Sequence, residues 1–298
     1  MPSAKTWLEK CAYSNAWLAA TASGFAVATL FAGGAQKPDA RFLVASLLPA
    51  LSMYVVYTFD KVVQWDPVAD AENDPERSAF IGKHRSILLA SAAVALGLGI
   101  VLAYLSPGGL RAVALFAMPF PIAYAYGTNV LPAGFRYRRL KDVTGGKSLT
   151  VAATWALVGV TLPIVAASQA VSLPLHAALF GWLLVRFFVN TVFFDIGDID
   201  GDTRAGTRTI PVVLGAERTY ALLEVSVLGS VVVGFVSAAL SPAKLSMAAV
   251  IVANGAFDLW FVREGRRAEN LGFLCDVVAD GMGLFAAATV VAAALFGA

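Results

Sequence analysis

Charge is scarce in this sequence: Asp, Glu, Lys and Arg together make up 14% of its 298 residues, where a soluble domain carries nearer a quarter. Histidine is rarer still. His84 and His176 are too few and too far apart for a histidine metal centre, and no Ser-His-Asp arrangement can be built from them. The two cysteines, Cys11 and Cys275, sit in or beside apolar segments, which excludes a disulfide framework and a thiolate metal site. The net charge of +2 identifies no partner, and the cations lie in short clusters rather than along a groove, so nucleic acid is not expected as a partner. The first ten residues, MPSAKTWLEK, lack the arrangement of a cleavable signal, so the first apolar stretch is read as a retained helix.

What the sequence has in abundance is apolar residues, 58% of the chain, gathered into long runs between the charged clusters. Runs of about 20 residues match the hydrocarbon thickness as helices and are too long for buried strands. Backbone polar groups in lipid must be satisfied within the segment, which favours helices over an open sheet. The sequence predicts an all-α integral membrane protein with spans near 11–33, 42–60, 86–105, 109–130, 149–168, 172–193, 212–238, 244–261 and 271–297. Pro132, Pro163, Pro174 and Pro242 mark expected boundaries or kinks. The whole chain, 1–298, is read as one polytopic membrane domain.

The connecting segments divide by charge. The N-terminus, the regions 61–85, 131–148, 194–211 and 262–270, and Arg218 together hold 17 of the 22 Lys and Arg residues. The positive-inside rule places that side, with the N-terminus and the acidic loops, in the cytoplasm, and nine spans then put the C-terminus outside. A prokaryotic cell membrane is the expected setting. Connections on the opposite side are short, so chemistry is expected at the cytoplasmic end.

Two acidic segments stand out there. The first, YTFDKVVQWDPVADAENDPER, carries Asp66 and Asp70 four residues apart, with Asp60 at the expected membrane edge. The second, NTVFFDIGDIDGDTRAGTRTIPVVLG, carries Asp195, Asp198 and Asp202 at i, i+3 and i+7, which aligns three carboxylates if the helix persists; Asp200 falls off that face. Carboxylates crowded beside apolar helices repel one another and lose hydration, and hard divalent ions remove that penalty. Mg²⁺ takes carboxylate oxygens and commonly arrives with substrate phosphates, so the two segments are expected to hold a diphosphate between them.

The basic segment about 131–148, FRYRRLKDVTGGKS, concentrates Arg136, Arg138, Arg139, Lys141 and Lys147. It anchors the chain by attraction to anionic lipid and also offers cations to a diphosphate, Lys141 being favoured and Arg139 a further candidate. Arg77, Arg204 and Arg208 accompany the acidic motifs. Gly145-Gly146 is read as a bend or a phosphate nest. Arg186 and Asn190, four residues apart within an apolar run, should face the bundle interior, either orienting a diphosphate or bonding between helices. Asp276 and Asp280, also four apart, together with Asp258 are expected to line the same cavity, accept a proton, or pair with Arg263 or Arg266.

On these motifs the chain resembles the UbiA superfamily of intramembrane prenyltransferases. Asp195-x-x-Asp198-x-x-x-Asp202, followed by Gly206, Arg208-Thr209 and Pro211-Val212-Val213-Leu214-Gly215, is similar to the second family motif. The first motif, often Asn-Asp-x-x-Asp-x-x-x-Asp, is anchored by Asp70, Asn73 and Pro75-Glu76-Arg77. That places its last two aspartates at Asp66 and Asp70 and its leading Asn-Asp on Lys61-Val62, with Asp60 alongside. The departure marks a divergent first motif.

The resemblance implies a ring of nine helices around a lipid-accessible cavity. It further implies Mg²⁺ held by Asp66, Asp70, Asp195, Asp198 and Asp202, a prenyl diphosphate donor, and a hydrophobic acceptor, in family members often an aromatic ring. Membrane lipids are the surroundings, and no obligate protein partner is inferred. Competing readings are a terpene cyclase built on the same diphosphate site, a membrane transporter, and a non-catalytic lipid-binding protein.

Overall fold

The computed structural model describes residues 4–35, 39–63, 75–128, 132, 134, 143–204 and 206–296. Among them the chain is helical and contains no strand. The first helices are α1 (Ala4–Tyr13), α2 (Ala16–Ala32), α3 (Ala40–Val63), α4 (Pro75–Leu105), α5 (Leu110–Ala117) and α6 (Pro119–Gly127). Then come α7 (Gly146–Ala166) and α8 (Leu173–Gly197), with the short α9 (Ile199–Arg204) and α10 (Ile210–Leu214). The long α11 (Ala216–Leu240) and α12 (Lys244–Gly265) lead to a π-helical turn, Leu274–Ala279, and to α13 (Met282–Phe296).

Six of these helices, α3, α4, α7, α8, α11 and α12, are long and apolar enough to cross a bilayer. The pair Trp7–Tyr13 and Ala16–Ala32, bent by 81°, makes a seventh if counted as one span. The remaining two expected spans fall on shorter apolar helices, Leu110–Tyr126 and Met282–Leu295. Among the described residues, length and composition therefore support six or seven spans, and the expected count of nine is not confirmed. The shortfall has local causes. Pro119 and Pro121 divide α5 from α6, and the turn at Asp280-Gly281 separates α13 from the π-helical turn before it.

Prolines do shape the helices. In α7 a π-helical turn, Leu157–Thr161, precedes Pro163, and the Leu162 N–H bonds five residues back to Leu157. A proline has no N–H and its ring crowds the preceding turn, and a widened turn relieves both. Pro174 opens α8, where the Ser172 side chain accepts from the Leu175 N–H. Pro242 lies in the break between α11 and α12.

Successive helices pack in chain order, α4 reaching α7 by way of α5, and α13 returns to α2, closing a ring. The α2–α13 contact is a backbone approach at Gly24 and Gly283, where an added Cβ on either would collide with the other helix's carbonyls. Small residues serve this purpose in membrane bundles. Inside the ring Trp155 of α7 stacks on Phe187 of α8 at 4.3 Å between centroids, and Phe25 of α2 meets Phe187 edge-on. This aromatic plug belongs to the buried core shared by α2, α7 and α8. The outer faces of α4 and α11 instead expose Ile87, Val94, Leu105, Val225 and Val232, as a lipid-facing surface should.

Candidate functional site: charged helix ends beside the aromatic plug

The plug has a polar lid. Trp155 Nε1 donates to the Tyr57 hydroxyl at 2.8 Å, and Tyr57 lies within electrostatic reach of Asp60, Tyr126 and Asp280. Tyr126 is in turn within reach of Lys147, Asp195, Asp60 and Asp202. Around these two phenols the ends of α3, α4, α6, α7, α8 and the π-helical turn bring together Asp60, Arg77, Lys147, Asp195, Asp202, Asp276 and Asp280.

One side of the site is the second acidic motif. Helix α8 runs to Gly197, pauses at Asp198 (φ −98°, ψ 7°) and resumes as α9, the Asp202 N–H bonding to the Asp198 carbonyl. The i, i+3, i+7 spacing thus survives a one-residue irregularity. Asp195 is fully buried; Ser148 Oγ donates to its Oδ2 at 3.0 Å, and Lys147 Nζ stands 2.7 Å from its Oδ1. The same ammonium is 3.8 Å from Asp202 Oδ2. Lys147 and Ser148 reach this place because Gly145 takes φ +75° just before α7, a left-handed bend suited to glycine. The bend expected of Gly145-Gly146 is present.

Burial pushes the Asp202 carboxyl up to about 6; Asp195 and Asp198 push the same way, against the opposing charge of Lys147. Asp198 is partly buried, whereas Asp200 is exposed on the far face. Arg204 and Arg208 are both exposed.

The opposite side joins α4 to the π-helical turn. Arg77 Nη1 donates to Asp276 Oδ1 at 3.2 Å, both side chains being largely buried. Asp280 is within reach of Asp276, Arg77, Asn190 and Lys61, and its carbonyl accepts from Thr21 Oγ1. The π-helical turn is marked by the Asp280 N–H bonding five residues back to Cys275. Such turns recur at functional sites because they rotate side chains off the regular helical face.

Several expected residues stand elsewhere. Asp66, Asp70, Arg139 and Lys141 lie outside the described residues. Arg186 is not at this site: its Nε and Nη2 hold Asp258 Oδ2 and Oδ1 at 2.7 and 2.8 Å, and its guanidinium lies over Phe25 and Trp182. Asp258 therefore pairs with Arg186, not with Arg263 or Arg266, which meet Glu224 and Glu217 at the surface. Of the polar pair on α8, only Asn190 reaches the site. Both cysteines are free thiols.

Three participants were not singled out by sequence. Tyr57 and Tyr126 carry no motif. Lys147 was one cation among five, and only its place directly after Gly145-Gly146 at a helix start distinguishes it.

Among the described residues no three Asp, Glu, His or Cys side chains enclose a metal ion. The donor chemistry nevertheless fits Mg²⁺. Asp195 Oδ1 and Asp202 Oδ2 are buried carboxylate oxygens with no hydrogen bond of good geometry, and the cation between them is a lysine ammonium. Hard oxygens already arranged around a positive charge are the kind of ligands Mg²⁺ takes.

A cavity of about 250 Å³ adjoins the site between α3, α4 and α6. Val55, Val56, Phe59, Leu96, Phe120 and Tyr124 make its wall apolar, and Asp60 belongs to both cavity and site.

Comparison with known proteins bears on this arrangement. The model of the UbiA prenyltransferase family matches residues 16–274. Two solved structures of a UbiA homolog from Archaeoglobus fulgidus share the fold, each covering 93% of this chain and 94% of theirs. The form bound to DMAPP and Mg²⁺ has a TM-score of 0.66 at 16% identity; the form bound to GPP and Mg²⁺ has 0.68 at 15%. A structure of digeranylgeranylglyceryl phosphate synthase aligns with a TM-score of 0.55 at 14% identity, covering 95% of this chain and 94% of that one. A search of curated protein sequences finds no match.

Proposed function

The chain belongs to the UbiA prenyltransferase family, and from that premise we propose that it transfers an isoprenyl group from an allylic prenyl diphosphate to a hydrophobic acceptor within the membrane. The observation that carries this reading is the convergence of Asp195 and Asp202 on one cation position beside an aromatic plug. Polar capture of a diphosphate and apolar capture of its tail need those two environments side by side. That the similar A. fulgidus structures are bound to DMAPP or GPP with Mg²⁺ supports the donor class.

Asp195, Asp198 and Asp202 would hold the metal, together with Asp66 and Asp70 of the first motif, which lie outside the described residues. When bound, Mg²⁺ supplies Lewis-acid polarisation of the diphosphate oxygens and neutralises charge developing on the leaving group. The chain's own cations act toward the same end. Lys147, Arg77 and Lys61 reach the site from α7, α4 and α3, and positive charge in a water-poor site stabilises a departing diphosphate far better than in water. Arg77 is held in direction by Asp276, and Asp195 by Ser148. Arg204 and Arg208, exposed at the rim, and Arg139 and Lys141 of the basic segment are the further cations assigned to diphosphate capture, with Asn190 as a polar neighbour.

Beside them Tyr57, backed by the buried Trp155 and Phe187, makes the adjoining core aromatic and dry. Ring faces attract a nearby cation, so the allylic centre is stabilised and shielded from hydrolysis. The apolar cavity at Val55, Phe59 and Phe120 suits the hydrocarbon tail. The charge division supports a cytoplasmic setting for this end of the bundle and for the N-terminus.

The test is incubation of the purified protein in lipid with Mg²⁺ and labelled allylic diphosphates, with and without a membrane-lipid extract. Label appearing in an extract-derived lipid, and lost in Asp195→Asn, is the expected result. Product from donor alone would instead indicate cyclisation or hydrolysis. Metal-dependent donor binding without any product would indicate a binder.

A further inference from the structure

The position of Lys147 raises a question that the transfer reaction leaves open. Its ammonium lies between Asp195 Oδ1 and Asp202 Oδ2, at 2.7 and 3.8 Å, in the space a metal shared by those carboxylates would need. A lysine and a divalent ion cannot both remain there. Either the carboxylates are not metal ligands or the ammonium moves.

Three features make it movable. The Lys147 side chain is 23% exposed, whereas Asp195 is 1% exposed, so the lysine has an open side and the carboxylate does not. Its flexible four-carbon stem starts in the first turn of α7, immediately after the Gly145 bend, with no preceding helical turn to pin it. Asp195 has a second support: Ser148 Oγ on its Oδ2 keeps the carboxylate in place when the ammonium leaves. The missing hydrogen-bond geometry at Asp195 Oδ1 and Asp202 Oδ2 indicates that Lys147 answers their charge without meeting their directional preference.

We propose that Lys147 is an exchangeable internal counter-ion, occupying the cation position between Asp195 and Asp202 in the metal-free protein and yielding it when a metal diphosphate arrives. The idea rests on the prenyl-diphosphate reading above. Mg²⁺ alone must displace an ammonium that gains no new partner, and therefore binds weakly. A metal diphosphate brings an anion that receives the displaced ammonium, so metal and donor bind together. Without donor the crowded carboxylates stay neutralised.

The test is calorimetric titration of the purified protein with Mg²⁺ alone and, separately, with preformed magnesium diphosphate, for the wild type, Lys147→Met and Lys147→Arg. A charge-assisted contact is worth roughly tenfold or more in affinity, so Lys147→Met should bind Mg²⁺ alone about tenfold tighter and magnesium diphosphate about tenfold weaker. Lys147→Arg keeps the competing charge and should bind Mg²⁺ alone as weakly as the wild type. Opposite signs in the two arms are the signature, since a merely structural lysine would shift both the same way or neither. Lys147→Met binding Mg²⁺ alone no tighter than the wild type would overturn the proposal, as would Lys147→Arg behaving like Lys147→Met. If Lys147→Met fails to fold, Lys147→Gln removes the charge while leaving Asp195 a donor. Asp195→Asn and Asp202→Asn separate the two ideas. If they leave wild-type Mg²⁺ binding unchanged, the metal site itself is wrong; if they abolish it while Lys147 variants have no effect, only the exchange fails.

Discussion

Helix α8 carries two ion pairs that look alike on paper and differ in almost every physical respect. Arg186 and Asp195 are nine residues apart, about 13 Å along the helix axis. Arg186 is 0% exposed and grips Asp258, 1% exposed, through two parallel hydrogen bonds, with Phe25 and Trp182 against its flat faces. Asp195 meets a partly open lysine by a single close approach, and that lysine is shared with Asp202. Deep in the bundle neither partner can reach water, so each is tied to the other and joins α8 to α12. At the helix end one partner has somewhere to go. The same helix thus carries a closed pair that holds helices together and an open pair that can trade its cation. The difference comes from depth and from arginine's rigid fork against lysine's point charge.

The largest effect should come from breaking the closed pair. Asp258→Ala leaves a buried guanidinium without its counter-ion and should destabilise the protein by about 3–5 kcal/mol, read from unfolding in detergent. Combining Asp258→Leu with Arg186→Met should recover most of that loss, because two apolar side chains in lipid-surrounded protein carry no desolvation penalty. A stable Asp258→Ala single variant would show that the pair is not closed.

Breaking the open pair should act on turnover instead. Asp195→Asn should lower the prenyl-transfer rate by about 10²–10³-fold, the scale of losing one key electrostatic group in a dry site, while shifting the unfolding transition little. Loss of stability on the scale of Asp258→Ala would remove the contrast between the two pairs.

A smaller effect sharpens the comparison by pH. In the metal-free protein burial raises Asp202 from 3.8 to about 6. Between those values the folded state holds a proton that the unfolded state has released, so stability contributed by this group falls as pH rises through that window. Mg²⁺ requires the ionised carboxylate, and its affinity should therefore drop as pH is lowered below about 6, by at most about tenfold per unit for a single proton. Calorimetric titrations from pH 5 to 7.5 would reveal it; a pH-independent Mg²⁺ affinity would take Asp202 out of the ligand set.

The smallest effect is expected at the surface. Arg263 is 58% exposed and lies 3.7 Å from Glu224 across α12 and α11. Arg263→Ala should change stability by no more than about 0.5 kcal/mol, since exposed pairs are screened and entropically opposed. A large loss there would show that depth is not what distinguishes these pairs.

Much of this was legible from local pattern. The apolar runs locate each long helix, and the i, i+3, i+7 spacing of Asp195, Asp198 and Asp202 foretells their shared face because α8 continues almost unbroken into α9. The number of spans was less legible. Counting apolar residues treats 109–130 and 271–297 as full crossings, and a proline-divided pair and a π-helical turn shorten the straight helices there. The partners of charged groups were least legible. Lys141 and Lys147 belong to one basic segment that local pattern does not divide, and for Asp258 the sequence leaves open cavity lining, proton acceptance, or pairing with Arg263 or Arg266. Its actual partner is 72 residues away, and Ser148 is 47 residues from Asp195.

Composition and periodicity alone mark this chain as helical and suited to a membrane, and they single out two acidic segments as candidates for its chemistry. Those properties follow from composition and short-range periodicity, which every turn of helix expresses locally. Only the tertiary structure decided which arginine is locked away, which lysine stands among the carboxylates, and that Tyr57 and Trp155 lie beside them. Those choices depend on which helix faces meet across the ring, and a charge in a low-dielectric interior is governed by its nearest neighbour in space, however distant in the chain.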